Sequence, residues 1–420
     1  MTVTAAPLAR RLGTPAAVVI GLASMIGAGV FSAFAPAASA AGPWLLAGLA
    51  IAAIVAYANA TSSARLAARY PVSGGTYVYG RERLGAWWGF AAGWSFVVGK
   101  TASCAAMAIT FAAYAVPEPW QKPVAVAAVL VVTAVDLLGV TKTAGLAAVI
   151  VSVVLVALVV IVAGGWLGVA AHGPVEWGAA TAGPYGVLQS AGILFFAFAG
   201  YARIATLGEE VRSPARTIPR AIGIALAITL VVYAIVAVTT LAAIGPERLA
   251  RATAPLALVL ESGPWGALGP VVTVGAAAAS LGALLSLLAG VSRTTLAMAR
   301  EGDLPRPLAA VSTRFSVPWL AQLVLAAAVV ILVLLTDLRS AIGFSSFGVL
   351  LYYAVANLSA ASLGRRAVPI VGLTGCLTLA ATLPWPSVVA GIVVVGVGLA
   401  YRAIRIAAAA RSRPPRTPPA

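Results

Sequence analysis

The chain has 420 residues, of which 61% are hydrophobic and only 9% are charged, and its formal net charge is +16. A soluble protein cannot bury so much apolar sequence, and apolar runs of about 20 residues recur that are long enough to cross a bilayer. The composition therefore excludes an ordinary soluble domain and predicts an all-α polytopic membrane protein in contact with lipid.

The lysines and arginines are distributed unequally between the two sides of the predicted membrane topology. Of the 27 lysines and arginines, 21 fall on one set of alternate loops, four fall on the other set and two fall within apolar spans. Cytoplasmic loops of membrane proteins carry such an excess of basic residues. We therefore expect both termini in the cytoplasm, and we expect no nucleic-acid partner.

Hydropathy predicts about twelve membrane spans. They lie near residues 16–35, 43–64, 85–115, 122–138, 144–168, 185–208, 219–244, 266–296, 317–336, 341–363, 367–383 and 386–406. We expect residues 1–15 and the Pro-rich residues 409–420 to form cytoplasmic ends.

The first span contains a sequence that disfavours a continuous helix. In GLASMIGAGVFSAFAP, residues 21–36, Gly27 and Gly29 lie near the middle of an apolar run. Each glycine costs a helix about 1 kcal/mol relative to alanine. We expect this helix to be broken between Ser24 and Gly29. The alternative is that the two glycines only allow close helix packing, as small residues do in membranes.

The sixth span carries a related interruption. Its sequence LFFAFAGYARIAT places Gly200 inside another apolar run. Because five spans make up each half and five is odd, the halves enter the membrane from opposite sides, which predicts a 5+5 inverted repeat. We expect the first repeat at 16–168, the second at 169–363 and two further helices at 364–408.

Broken helices present backbone groups to a cavity. Amide N–H groups at the start of a half-helix lie at the positive end of its dipole and suit a carboxylate, whereas freed carbonyls suit an ammonium group. A zwitterionic α-amino acid carries both groups a short distance apart. The two predicted breaks therefore favour an amino acid as the ligand.

Four stretches resemble the amino acid–polyamine–organocation (APC) permease family. The family's first helix is similar to GLASMIGAGVF, and its loop between helices 2 and 3 is similar to RYPVSGGTYVYGRERLGAWWGFAAGW. Its sixth helix and following loop resemble FFAFAGYARIATLGEEVRSPARTIPRAI, and its loop after helix 8 resembles VSRTTLAMAREGDLPRPLAAVSTRFSVPW. The resemblance implies the LeuT-like fold, in which helices 1, 2, 6 and 7 rock against helices 3, 4, 8 and 9. It also implies secondary amino acid transport across the plasma membrane, by proton symport or exchange.

The resemblance further implies a substrate site at the two breaks. It assigns the substrate carboxylate to the backbone N–H groups of Ala28 and Gly29, and the ammonium group to carbonyls near Met25 and at Phe196 and Ala199. Phe196 takes the position of the aromatic gate that covers the substrate. The other expected pocket residues are Ile26, Gly27, Cys104, Phe198 and Gly200.

The chain departs from the family at the residues that couple transport to an ion. The helix 5 lysine that carries a proton in one branch of the family corresponds to Val154, and an acidic residue found on helix 6 in some members corresponds to Ala202. Lys100 lies within a span instead. We interpret it as a proton carrier or a ligand of the substrate carboxylate, with a structural lysine as the alternative.

Arg203 is the second cation within a span. An arginine does not practically lose its proton, so we interpret it as a brace that reaches Glu209 or Glu210, with a substrate role as the alternative. Because the expected pocket holds no anion, the sequence argues against a cationic cargo. It mildly favours a neutral cargo, and Lys100 leaves an acidic one open.

We expect no cofactor and no metal. The chain has two cysteines, both within predicted spans, and one histidine. It shows no phosphate-binding loop, metal-ligand spacing or catalytic triad, so an enzyme is a distant alternative. The second interpretation that stays open is a membrane sensor or a transport-inactive subunit that uses the same pocket. The carried amino acid, the coupling ion and the oligomeric state also stay open.

Overall fold

A computed structural model describes residues 12–70, 74–139, 144–177, 182–205 and 211–411. These residues form helices joined by short connections, and their β-type pairing is limited to an isolated parallel bridge between Leu12 and Val211. The predicted all-α class is confirmed for this part of the chain.

The helices follow the order of the predicted spans. Up to residue 177 they are α1 (Thr14–Met25), α2 (Ala28–Ser32), α3 (Phe34–Ala41), α4 (Leu45–Arg69), α5 (Thr76–Leu84), α6 (Ala86–Ala115), α7 (Glu118–Leu137) and α8 (Ala144–His172). From residue 182 they are α9 (Pro184–Phe198), α10 (Ala202–Ala205), α11 (Pro214–Arg251), α12 (Pro255–Glu261), α13 (Gly269–Arg300), α14 (Trp319–Leu335), α15 (Leu338–Ala361), α16 (Ala367–Thr382) and α17 (Trp385–Arg411).

Nine helical stretches within the described ranges are long and apolar enough to cross a membrane. Two further apolar helices, α14 and α16, have 17 and 16 residues. The sixth predicted span is not one long helix, because α9 ends at Phe198, a 3₁₀ turn covers Ala199–Tyr201 and α10 follows. The polytopic architecture is confirmed, whereas the count of twelve crossings and the inverted repeat stay predictions.

Prolines explain why two helices begin earlier than predicted. α7 begins at Glu118 and α11 begins at Pro214, and each has a proline within its first two positions. A proline is tolerated there because the first N–H groups of a helix have no helical acceptor. α11 also runs past its predicted end to Arg251, across a kink at Gly245, where φ is +73°.

Small residues let the interrupted helices approach closely. A Cβ atom added to Gly200 would overlap the backbone carbonyl of Ser24, and one added to Gly29 would lie 2.7 Å from the Cα atom of Ala197. The 3₁₀ turn therefore packs backbone to backbone against the end of α1. On the other side of the molecule, α6 packs against α13 and α15.

The contact between Gly200 and Ser24 can be tested by comparing the stability of two glycine-to-alanine variants. We predict that Gly200→Ala lowers the stability by about 1–3 kcal/mol, because the new methyl group must displace the Ser24 backbone. The control is Gly223→Ala on α11, where an added Cβ has no atom within 4 Å and helix propensity favours alanine by about 0.5–1 kcal/mol. Thermal unfolding of the purified variants measures both effects. Equal melting temperatures for the two variants would contradict the close contact.

Candidate functional site

The first interruption lies at Ile26 and Gly27, inside the segment where a break is expected. α1 ends at Met25, Gly27 has φ −102° and ψ −148°, and α2 begins at Ala28 without a side-chain cap. The first amide groups of α2 therefore have no acceptor within the helix. Ala33 keeps a right-handed helical conformation between α2 and α3, so 28–41 runs as one half-helix.

The second interruption is the 3₁₀ turn between α9 and α10. The N–H group of Ala199 donates to the carbonyls of Phe195 and Phe196. The hydroxyl of Tyr353 donates to the carbonyl of Ala199 at 3.4 Å. The carbonyls of Phe196 and Ala199 thus have partners outside regular α-helical pairing.

Tyr233 of α11 joins the two interruptions. Its hydroxyl donates to the carbonyl of Met25 and lies 3.0 Å from the carbonyl of Ala197. Both carbonyls belong to the ends of helices, where the last oxygen atoms lack helical donors. A phenol has one donor proton, so the hydroxyl bonds one of the two carbonyls at a time. One side chain thus contacts both helix ends and holds them together.

A cavity of about 300 Å³ lies against both interruptions. The facing wall includes one face of α6, with Phe96, Lys100, Ser103 and Met107 at spacings of three or four residues, as expected of a helix surface. One face of α13 completes this wall. The cavity is therefore bounded by the interrupted helices on one side and by α6 and α13 on the other.

The cavity has an open end beside Arg293, an exposed residue of its lining. At that end its lining also includes Tyr77. Past the other end, the hydroxyl of Tyr114 donates to the carbonyl of Phe31 at 2.9 Å and accepts from the N–H group of Leu256 at 3.2 Å. The rings of Tyr114 and Phe31 also pack edge to face. The open end thus lies on the predicted cytoplasmic side, and the Tyr114 contacts lie near α12.

Most of the expected site residues border this cavity. Nine of them line it: Met25, Gly27, Ala28, Gly29, Lys100, Phe196, Ala199, Gly200 and Arg203. Ile26, Cys104 and Phe198 lie outside the lining, and all three are buried. Phe198 packs against the ring of Tyr233, with centroids 5.1 Å apart, because two residues along a helix turn the side chain to the opposite face.

Lys100 is a buried cation in the cavity wall. Its side chain is 7% exposed, and it has no hydrogen-bond or ion-pair partner among the described residues. The neighbouring hydroxyl of Ser103 is bonded to that of Ser345 at 2.6 Å. A lysine at the centre of a span costs about 2.5–3.5 kcal/mol on insertion scales, so its retention beside a cavity is typical of a functional group.

Sequence reasoning missed several lining residues. Arg293 was not among the expected site residues, but α13, which continues to Arg300, places it in the cavity wall. Tyr77 and Tyr352 reach the cavity through tertiary packing. Helical spacing from Lys100 would have identified Phe96, whereas no local pattern marks the two tyrosines.

The expected partners of Arg203 lie outside the described residues. Arg203 lines the cavity, but Glu209 and Glu210 fall in 206–210. Among the described residues that line the cavity, Lys100, Arg203 and Arg293 are basic and none is acidic.

An ionic network centred on Asp303 lies beside the open end. Its carboxylate accepts hydrogen bonds from Tyr77 at 2.8 Å, from Arg81 at 3.3 Å and from Arg402. The guanidinium of Arg402 also lies over the ring of Phe90, 5.0 Å from its centroid. Burial and the bond to Asp303 raise the pKa of Tyr77, so its hydroxyl stays a donor. The network joins α5, α17 and the segment after α13.

Comparison with known proteins identifies relatives along almost the entire chain. An uncharacterized transporter of Mycobacterium tuberculosis is 60% identical over 413 residues, which cover 97% of this chain and 93% of that protein. The branched-chain amino acid permease BcaP of Bacillus subtilis is 24% identical, with 93% and 92% covered. The vacuolar cationic amino acid transporter 2 of Arabidopsis thaliana is 29% identical over 84% of this chain and 59% of that protein.

The family profile described as amino acid permease matches residues 16–404. This match covers the interrupted helices, both walls of the cavity and the Asp303 network. Family and relatives together indicate a membrane transporter rather than an enzyme. The resemblance to APC permeases is confirmed, and the chain belongs to the amino acid permease family.

Proposed function

We propose that the protein is a secondary active transporter that moves an amino acid across the plasma membrane by alternating access. The observation that carries this proposal is a cavity that borders two interrupted helices and has an open end beside Arg293. The relatives named for branched-chain and cationic amino acids support an amino acid as the cargo. Proton symport or exchange supplies the driving force.

The two interruptions bind the backbone of the substrate. Its carboxylate accepts from the N–H groups of Ala28 and Gly29, at the positive end of the half-helix 28–41. Its ammonium group donates to carbonyls of Met25, Phe196 and Ala199, whose oxygens each retain a second lone pair beside their existing bonds. The ring of Phe196 borders the cavity and covers the bound ammonium group.

Alternating access moves one group of helices against another. The mobile group is α1, α2 and α3 with α4, α9, α10 and α11, and the fixed group is α6, α7, α13 and α14. The cavity lies on the boundary between these groups. The bond from Tyr114 of α6 to Phe31 of α2 crosses the same boundary, so it breaks when the cavity opens towards α12.

Lys100 and Arg203 are the candidates for coupling or for binding substrate charge. Both line the cavity, whereas Val154, at the position of the family's coupling lysine, is a fully buried apolar residue of α8. The inherited proton route is therefore absent from this chain at that position. Any coupling proton must use another group.

Transport is tested with purified protein in proteoliposomes and a panel of labelled amino acids. We expect concentrative uptake under an inward proton gradient, which indicates symport, or uptake only into vesicles preloaded with amino acid, which indicates exchange. Protein-free vesicles and a sodium gradient serve as controls. Absence of flux under every condition, with an amino acid that still raises the melting temperature, would contradict transport and favour the sensor.

The role of Phe196 is tested against Phe198, two residues away on the opposite face. We predict that Phe196→Ala raises the apparent KM about tenfold, because it removes the ring that covers the ammonium group. Phe198→Ala should instead lower stability by about 3–5 kcal/mol, because it leaves a hole in the core, with little change in KM. Uptake kinetics and thermal unfolding measure both variants, and the opposite pattern would overturn the assignment.

A further inference from the structure

The charges that line the cavity have one sign. Lys100, Arg203 and Arg293 are basic, and the described lining contains no carboxylate. Two acidic side chains outside the lining lie nearby, and one of them, Asp136, also interacts electrostatically with the lining residue Arg293. Asp136 accepts from Gln322 at 2.7 Å, and Asp303 accepts from Arg402, Arg81 and Tyr77. Walls of low dielectric strengthen the positive potential in such a cleft.

Lys100 lies near the middle of its membrane-spanning helix, where a bound substrate would contact it. It is the fifteenth of the 30 residues of α6, so it lies near the middle of that helix, whereas Arg293 is exposed towards the open end. The Lys100 side chain is 93% buried, borders the cavity and has no partner among the described residues. A buried ammonium group without a partner is unfavourable, and an anion in the cavity would remove that cost.

The cargo supplies this anion. Under the proposed function, on which this inference rests, the substrate's α-carboxylate and α-ammonium groups occupy the two interruptions. Its side chain then projects into the space walled by α6 and α13. We propose that the cargo is an acidic amino acid and that the Nζ atom of Lys100 binds its side-chain carboxylate.

Other side chains fit the cavity less well. A cationic side chain would enter a space lined by Lys100 and Arg293 with no carboxylate from the described residues to receive it. A neutral side chain would leave the Lys100 ammonium group unpaired. Arg293 adds attraction for anions at the open end, although solvent screens it more than Lys100.

The first test compares acids with their own amides. Binding of glutamate, aspartate, glutamine, asparagine, leucine and lysine to the wild-type protein is measured by thermal shift and by competition for uptake. We expect glutamate or aspartate to bind at least about tenfold more tightly than its amide, and lysine not to compete. Equal or tighter binding of an amide, leucine or lysine would overturn the acidic class while leaving the transporter intact. If no amino acid binds or moves, the proposed function fails and this inference fails with it.

The second test removes the charge of Lys100. Lys100→Met keeps an unbranched side chain, and we expect it to weaken glutamate or aspartate binding about 10-fold to 100-fold while the amides bind as before. The control is Lys122→Met, because the Lys122 ammonium group is exposed and donates to the carbonyl of Leu334, away from the cavity. An unchanged ratio of acid to amide affinity in Lys100→Met would contradict the assignment. If that variant does not fold, the wild-type comparison decides alone.

Discussion

The backbone of Gly200 lies against the carbonyl of Ser24, and the cavity depends on this contact between two interrupted helices. A side chain at Gly200 would hold the 3₁₀ turn away from α1. The hydroxyl of Tyr233 then joins the carbonyls of Met25 and Ala197 across the same junction. Four half-helix ends are thereby brought together beside the cavity.

The charged residues near this junction fall into two groups. One group forms ion pairs that hold helices together, and the other borders the cavity. The carboxylate of Asp303 is buried among Arg402, Arg81 and Tyr77, where it holds α5 and α17 beside the open end. Lys100 is buried without such a partner and borders the cavity. A buried lysine that borders a cavity is typical of a group that binds a ligand or carries a proton in a membrane protein.

The interruptions were predictable from sequence because Gly27 and Gly200 lie within apolar runs, where a continuous helix would disfavour them. The directions in which the neighbouring side chains point were not predictable from sequence. Phe196 lines the cavity and Phe198 does not, since rotation about α9 depends on how the 3₁₀ turn packs against α1. Arg293 was not expected as a site residue, and α13 places it in the cavity wall. Tyr77 reaches the cavity only through contacts between segments distant in sequence.

We propose that the substrate binds at the two interruptions. Structure determination of the protein bound to its transported amino acid tests it most directly. We predict ligand density between the N–H groups of Ala28 and Gly29 and the ring of Phe196, with the ligand side chain directed towards α6. Density in another place, such as the shallow pocket beside Leu138 and Trp319, with the cavity at the interruptions empty, would contradict it.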